Sequence, residues 1–172
     1  MSRLLVTPLS ALPGALAEHA PSHLISLLSP EHMIETPAGF PAAGHLKLGI
    51  NDIMDPAAGP APPAREHIDA LLEFSRGWDA SQPLLIHCWA GISRSMASAF
   101  TILCDRLGPG HEEEIAQAMR RRAPHAQPNR LLVHHADEAL GRDGAMLTAV
   151  KAMGPPLLVE EGVATFFPLV DL

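Results

Sequence analysis

Two kinds of apolar pattern take turns along this chain. The first is the short continuous or alternating run: Leu4, Leu5 and Val6; then Leu24, Ile25, Leu27 and Leu28; then Leu46, Leu48 and Ile50 alternating with Lys47 and Gly49; then Leu84, Leu85 and Ile86 after Gln82-Pro83. Runs of this length, bounded by proline or polar residues, predict buried strands over residues 4–7, 22–28, 46–50 and 83–86. The second pattern returns every three or four positions. It predicts a short helix within residues 9–19 and a helix over residues 64–78, whose Ile68, Leu71, Leu72 and Phe74 share one face. A third helix, over residues 94–107, carries Met96, Ala97, Phe100, Ile102, Leu103 and Leu107, dense enough to be buried almost all round, and Gly108-Pro109-Gly110 stops it.

From Glu112 to Gly154-Pro155-Pro156 the chain reads as almost wholly helical. Within it Asn129 is a suitable N-cap, Leu131, Leu132, His135, Ala136, Ala139 and Leu140 mark a face, and Gly141 ends that helix. Residues 30–44, with Pro37, Gly39, Pro41 and Gly44, predict a loop. Residues 57–63, rich in proline and alanine, predict a flexible or extended surface segment. Residues 157–172 hold Phe166-Phe167 but no period, and no element is assigned to them. Strands followed by helices in this order predict an α/β fold of three layers, with a mostly parallel central sheet flanked by helices, in a single domain spanning residues 1–172. Ligands of such sheets sit at the carboxyl ends of the strands.

The chemistry concentrates between the fourth strand and the third helix. His87-Cys88-Trp89-Ala90-Gly91-Ile92-Ser93-Arg94-Ser95 separates a cysteine and an arginine by five residues, with a glycine midway and a serine after the arginine. In a strand, loop, helix unit the loop N–H groups from Trp89 to Arg94 can converge on one point, and the positive end of the helix dipole faces that point. An anion is the natural occupant. A cysteine at such a helix N-terminus beside an arginine is in the setting that turns thiols into nucleophiles at neutral pH. Arg94 offers a planar fork that holds two oxygens of a phosphoryl group, and Gly91 removes a side chain where the backbone must turn and approach the ligand. The Ser95 hydroxyl can donate to the cysteine sulfur, and His87 is placed to buttress the loop backbone.

The string HCWAGISRS resembles the signature of the cysteine-dependent protein phosphatases, and its AGISRS ending is most similar to the dual-specificity group of the protein tyrosine phosphatase superfamily. The resemblance covers roughly residues 45 to 140, strongly at 87 to 95. It implies a phosphomonoester hydrolase working through a phosphocysteine, and it calls for a carboxylic acid upstream of the cysteine, on a loop after a strand. Asp52 comes directly off the strand at 46–50 and matches best; Asp55, followed by Pro56, is the rival. Met119 to Arg130, with its Pro128-Asn129 pair, is similar to the region where an arginine-containing helix of these enzymes ends and the next begins. Arg120, Arg121 and Arg122 read as a solvated face rather than a second anion subsite.

Net charge and cysteine count narrow the alternatives. A formal charge of −7 argues against a general affinity for nucleic acid or an anionic membrane. The 2 cysteines indicate no disulfide framework, and Cys104, well along the third helix, reads as a buried apolar residue. No segment reads as a signal peptide or membrane span, so a cytoplasmic location is expected. The 10 histidines show no tight ligand spacing, with His134 and His135 expected to point different ways on their helix; neither a metal nor a cofactor is expected. The expected partners are a phosphorylated protein or a small phosphoester, and phosphate or another oxyanion in the loop. A phosphoinositide or small-molecule phosphatase would use the same loop, but the resemblance puts lysines inside it in lipid-directed relatives, where this chain has Trp89, Ala90, Ile92 and Ser93. A sulfurtransferase or arsenate reductase is disfavoured by the spacing and the following serine. A phosphate-binding module without turnover would typically lack the cysteine, the arginine or the acid.

Overall fold

Residues 3–170 are described by a computed structural model. Five strands, β1 (Arg3–Pro8), β2 (His23–Leu28), β3 (His45–Gly49), β4 (Leu84–Cys88) and β5 (Thr165–Pro168), form one sheet in the order β3-β2-β4-β1-β5. The first four run parallel, and β5 alone is antiparallel, paired to β1 with Leu4 opposite Phe167. The expected mostly parallel α/β sheet is therefore present, with β4 at its centre. Residues of β4 are buried on both faces, the reason its sequence reads as continuous rather than alternating.

Alternation along the strands sorts side chains into two unequal cores. Leu4, Val6, Ile25, Leu27, Ile86 and Cys88 point into the larger one, beneath α2 (Arg65–Gly77), α3 (Arg94–Leu107), α4 (Glu112–Arg122), α5 (Arg130–Leu140) and α6 (Ala145–Ala152). Leu5, Leu24 and Leu85 point the other way, against α1 (Leu12–His19), whose Leu12 and Ala15 complete a small second core edged by Ile34 and Phe40 of the irregular segment 29–44. Buried Phe100 and fully packed neighbours on nearly every side make α3 the hub of the large core, as its apolar density predicts. Asn129 caps α5, its Oδ1 accepting from the N–H groups of Leu131 and Leu132 at 3.0 Å, and Gly141 ends that helix in the left-handed region.

Three readings are refined. The largely helical stretch from residue 112 is three helices, with the expected cap at Asn129 and end at Gly141 in place and breaks at 123–129, which holds two prolines, and at 141–144, which holds two glycines. The unassigned tail contains β5, only four residues long, which closes the β1 edge. Its Pro168 lacks a donor and is tolerated because β5 is an edge strand. On α5 the buried residues are Leu132, Val133, Ala136 and Asp137, so the packed face is rotated toward Val133 and Asp137. The Asp137 carboxylate earns that place by accepting from the N–H groups of Gly144 and Met146 at the start of α6. Residues 1, 2, 171 and 172, which the single-domain reading includes, lie outside the described residues.

Candidate active site

Cys88 ends β4 at the carboxyl edge of the sheet, and α3 begins at Arg94, so the intervening loop sits where parallel sheets place their ligands. What orients this loop is the fate of its carbonyls. The Cys88 oxygen accepts from His87 Nδ1 at 3.1 Å, Trp89 O from Leu9 N at 3.0 Å, and Ala90 O from Gly162 N at 2.8 Å. Ile92 O accepts from Gln127 N at 2.9 Å, and Ser93 O from Ala97 N at 2.9 Å and Asn129 N at 3.2 Å. These carbonyls are held from outside the loop, by the His87 ring, by Leu9 after β1, by Gly162 before β5, by Gln127 and Asn129 of the connection between α4 and α5, and by Ala97 of α3. In a trans peptide the N–H points opposite to the C=O, so the N–H groups of Trp89, Ala90, Gly91, Ser93 and Arg94 are turned the other way, toward the inside of the loop.

Gly91 has φ +70°, and a Cβ there would lie 2.7 Å from Pro8 N and 2.9 Å from the Thr7 carbonyl carbon. The loop is thus pressed onto the end of β1, and the glycine is required both by conformation and by space. Gly162, in the segment that precedes β5, is similarly confined against His125 and Gly91 O.

Inside the loop, Cys88 Sγ lies 3.1 Å from the Ser95 hydroxyl. Arg94 is buried, 7% exposed; Nη1 donates to Ile50 O at 2.7 Å, which anchors the side chain beneath the loop, while its buried Nε has no protein partner. A buried unpaired guanidinium N–H is costly unless a ligand receives it. Asp52 stands across the opening, its Oδ1 accepting from Ser93 Oγ at 2.7 Å and Asn129 Nδ2 at 2.9 Å. Cys88, Arg94, Asp52, Trp89, Ala90, Ile92, Ser93, Met54 and Gln127 line a single cavity of about 360 Å³. That is room for a phosphoryl group and part of what carries it. The rim is apolar and open: Trp89 is 58% and Met54 61% exposed, and Trp89 meets His32 edge-on at 5.6 Å.

The rival carboxylate is elsewhere. Asp55 accepts from Ala57 N at 2.9 Å, capping the short turn Pro56–Ala58, and does not line the cavity. His87 is fully buried, and burial pushes its imidazole down to about 4, so it stands neutral as the expected buttress. Cys104 is fully buried, and burial, with Glu112 nearby, raises its thiol well above the ordinary range. Arg120 donates to the carbonyls of Met153, Pro124, Ala126 and Gly154, which makes it a clamp between α4 and the end of α6 rather than either a solvated face or an anion subsite. Arg121 and Arg122 are exposed. His134 and His135 do not diverge as expected: with Glu138 they bring one ligand atom each to within 4.8 Å of one another on the surface of α5.

Sequence reasoning missed Leu9, Gly162 and the hydroxyl of Ser93 as supports of the site. Nothing local marks the first two, because each acts through a backbone N–H. It also missed Ser26, whose Oγ lies 2.7 Å from His87 Nε2. A signal existed there: a lone serine inside the apolar run Leu24 to Leu28.

No family model and no curated protein matches the sequence. Solved structures do. The human tyrosine phosphatase-like serine/threonine/tyrosine-interacting protein superposes with a TM-score of 0.61 at 24% identity, over 79% of this chain and 89% of that one. DUSP15 gives 0.61 at 19% identity, over 89% of this chain and 91% of that one. PTPMT1 in complex with PI(5)P gives 0.57 at 16% identity, over 88% and 94%. Likeness at these identities concerns the fold, which is that of the cysteine-dependent phosphatases.

Proposed function

We propose that this chain, built on the fold those phosphatases share, is a cysteine-dependent phosphomonoester hydrolase of the dual-specificity type, acting as one catalytic domain in the cytoplasm. The observation that carries the reading is the outward anchoring of the loop carbonyls, which leaves a ring of N–H donors around Cys88 and above the unpaired Nε of Arg94. Donors held in place before the substrate arrives stabilise the transition state most, because nothing has to reorganise as charge builds on the equatorial oxygens.

In the reaction, Cys88 Sγ attacks phosphorus in line. The S–P bond forms as the ester P–O bond breaks, and Asp52 gives its proton to the departing oxygen. Because Asp52 Oδ1 is engaged by Ser93 and Asn129, Oδ2 is the oxygen that carries the proton. Water then attacks the phosphocysteine, losing its proton to Asp52; the S–P bond breaks, and Ser95 donates to the departing sulfur. Arg94 and the inward N–H groups hold the phosphoryl oxygens through both steps.

The loop side chains between Cys88 and Arg94 carry no cation, and the rim presents Trp89 and Met54. Both features favour an aryl or protein phosphoester over a phosphoinositide. The likeness to a structure holding PI(5)P keeps the lipid as the second reading, and the likeness to a protein named as phosphatase-like keeps a binding module as the third. Turnover of para-nitrophenyl phosphate, inhibited by vanadate and abolished in Cys88→Ser while vanadate still binds, is the expected result. Full activity in Cys88→Ser would overturn the mechanism, and an inert wild-type protein that binds vanadate would make the chain a module. Phosphopeptides and phosphoinositide vesicles compared side by side then rank the substrate classes.

A further inference from the structure

On the face of the sheet opposite Cys88, four polar side chains from four segments form an unbroken hydrogen-bonded line. Thr36 Oγ1 lies 2.9 Å from His45 Nδ1, His45 Nε2 2.8 Å from Ser26 Oγ, Ser26 Oγ 2.7 Å from His87 Nε2, and His87 Nδ1 3.1 Å from the Cys88 carbonyl. Strand register creates the line. Ser26 pairs directly with His87 across β2 and β4, and His45 opens β3 on the same face, opposite Leu24. Ser26 and His87 are fully buried; His45 and Thr36 are half-buried at the outer end.

The direction of every hydrogen in this line follows from one atom. A carbonyl only accepts, so His87 Nδ1 carries a proton and donates it to Cys88 O. Neutral His87 then has a bare Nε2, which must receive the Ser26 hydroxyl proton. Ser26 Oγ, having donated, accepts from His45 Nε2–H, and the bare Nδ1 of His45 receives the Thr36 hydroxyl proton. All four bonds point the same way, toward the signature loop, and bonds aligned head to tail strengthen one another in a low-dielectric interior. The reverse order would require a doubly protonated His87, whose charge would have to be buried with Arg94 nearby. The charged neighbours are Lys47 beside His45 and Arg94 beside His87; both disfavour a second positive charge on the line.

We propose that Ser26 and His45 are positioning residues of the catalytic loop: they support the tautomer of His87 that the Cys88 carbonyl selects, and with it the outward pull on that carbonyl that aims the Trp89 N–H at the phosphoryl group. The effect on turnover rests on the phosphatase reading above; the tautomer itself does not.

The test reverses the line's polarity at its half-exposed end. In His45→Gln the amide N–H can still donate to Ser26, whereas in His45→Glu a carboxylate can only accept. Ser26 must then donate outward, and His87 must offer Nε2–H and lose its bond to Cys88 O. Ser26→Ala removes the link at the buried position. Ring 15N shifts of His87, assigned with a His87→Asn variant, are expected to report the Nδ1–H tautomer in wild type, His45→Gln and Ser26→Ala, where the Cys88 carbonyl still receives the proton, to move toward Nε2–H in His45→Glu, and to return to Nδ1–H when Ser26→Ala is added to His45→Glu. With para-nitrophenyl phosphate, kcat is expected to fall about tenfold in His45→Glu, the scale of one lost buried hydrogen bond, with KM within about twofold and His45→Gln near wild type. An unchanged His87 tautomer in His45→Glu, or the same loss in His45→Gln as in His45→Glu, overturns the proposal. A wild-type protein without turnover defeats the phosphatase reading, while the 15N shifts still decide the tautomer.

Discussion

Acidification from pH 7 toward pH 4 singles out His87, a base with no exposed surface whose imidazole is pushed from 6.5 down to about 4, chiefly by burial. The Cys88 carbonyl bond pulls the other way, and His45 and Arg94 add to the depression. Between those two pH values the unfolded chain binds a proton at this histidine and the folded chain does not. Stability therefore falls as pH falls, from no loss above about 6.5 to the full loss near 4. The gap between 6.5 and about 4, at 1.36 kcal/mol per unit, sets that loss at about 3 kcal/mol, a large part of a typical 5–15 kcal/mol total. His23, His45, His67 and His125 are also lowered by burial and tilt the curve in the same direction, so wild type alone does not isolate the effect. The measurement is urea unfolding between pH 7 and pH 4 on wild type and His87→Asn. The difference between the two stabilities should narrow by about 3 kcal/mol on acidification. Parallel curves would show that His87 is not held neutral by burial, and the directed hydrogen-bond line would lose its premise.

Three further outcomes are expected. Asp52→Ala should lower kcat by about 100-fold, the scale of general acid catalysis, while Asp55→Ala stays near wild type; the reverse in a para-nitrophenyl phosphate assay would move the acid role to Asp55. Gly91→Ala must place a methyl against Pro8 and Thr7 backbone atoms at a positive φ, so thermal and urea unfolding should record a loss of about 2–5 kcal/mol, with vanadate binding weakened in the folded fraction. Asn129→Ala removes both the α5 cap and a hydrogen bond to Asp52; about 1–2 kcal/mol of stability should go. Asn129→Asp keeps the cap but sets a second carboxylate against Asp52, and its kcat should fall with little change in unfolding midpoint. Equal loss of stability in both variants would remove the link between cap and acid.

Much of this architecture is written locally. Four of the five strands and the helix behind the signature loop were legible because burial imposes a period on side chains within one segment: Leu84 to Ile86 is continuous because β4 is covered on both faces, and α3 is apolar nearly all round because it is the hub. Strand β5 was not legible. Its four residues acquire strand character from pairing with β1, a partner some 160 positions away, and no local period records that.

The same division runs through the site. Cys88, Gly91, Arg94 and Ser95 lie within eight residues, so a single string carried the chemistry of phosphate and thiol. Asp52 and Asp55 stood as two candidates for the proposed acid, and what brings Asp52 rather than Asp55 to the cavity is a pair of residues 41 and 77 positions downstream, Ser93 and Asn129. Which way the loop faces rests on donors from Leu9, Gln127, Asn129 and Gly162, all four presenting the same backbone N–H that every non-proline residue owns. Residue identity encodes what a side chain can do in a local frame. It does not encode which distant N–H a carbonyl will meet, because that depends on how whole elements pack. The chain order thus named the atoms of the proposed reaction, and the packing of the end of β1, the turn at Leu9, the connection between α4 and α5 and the segment before β5 around one loop set the direction in which those atoms point.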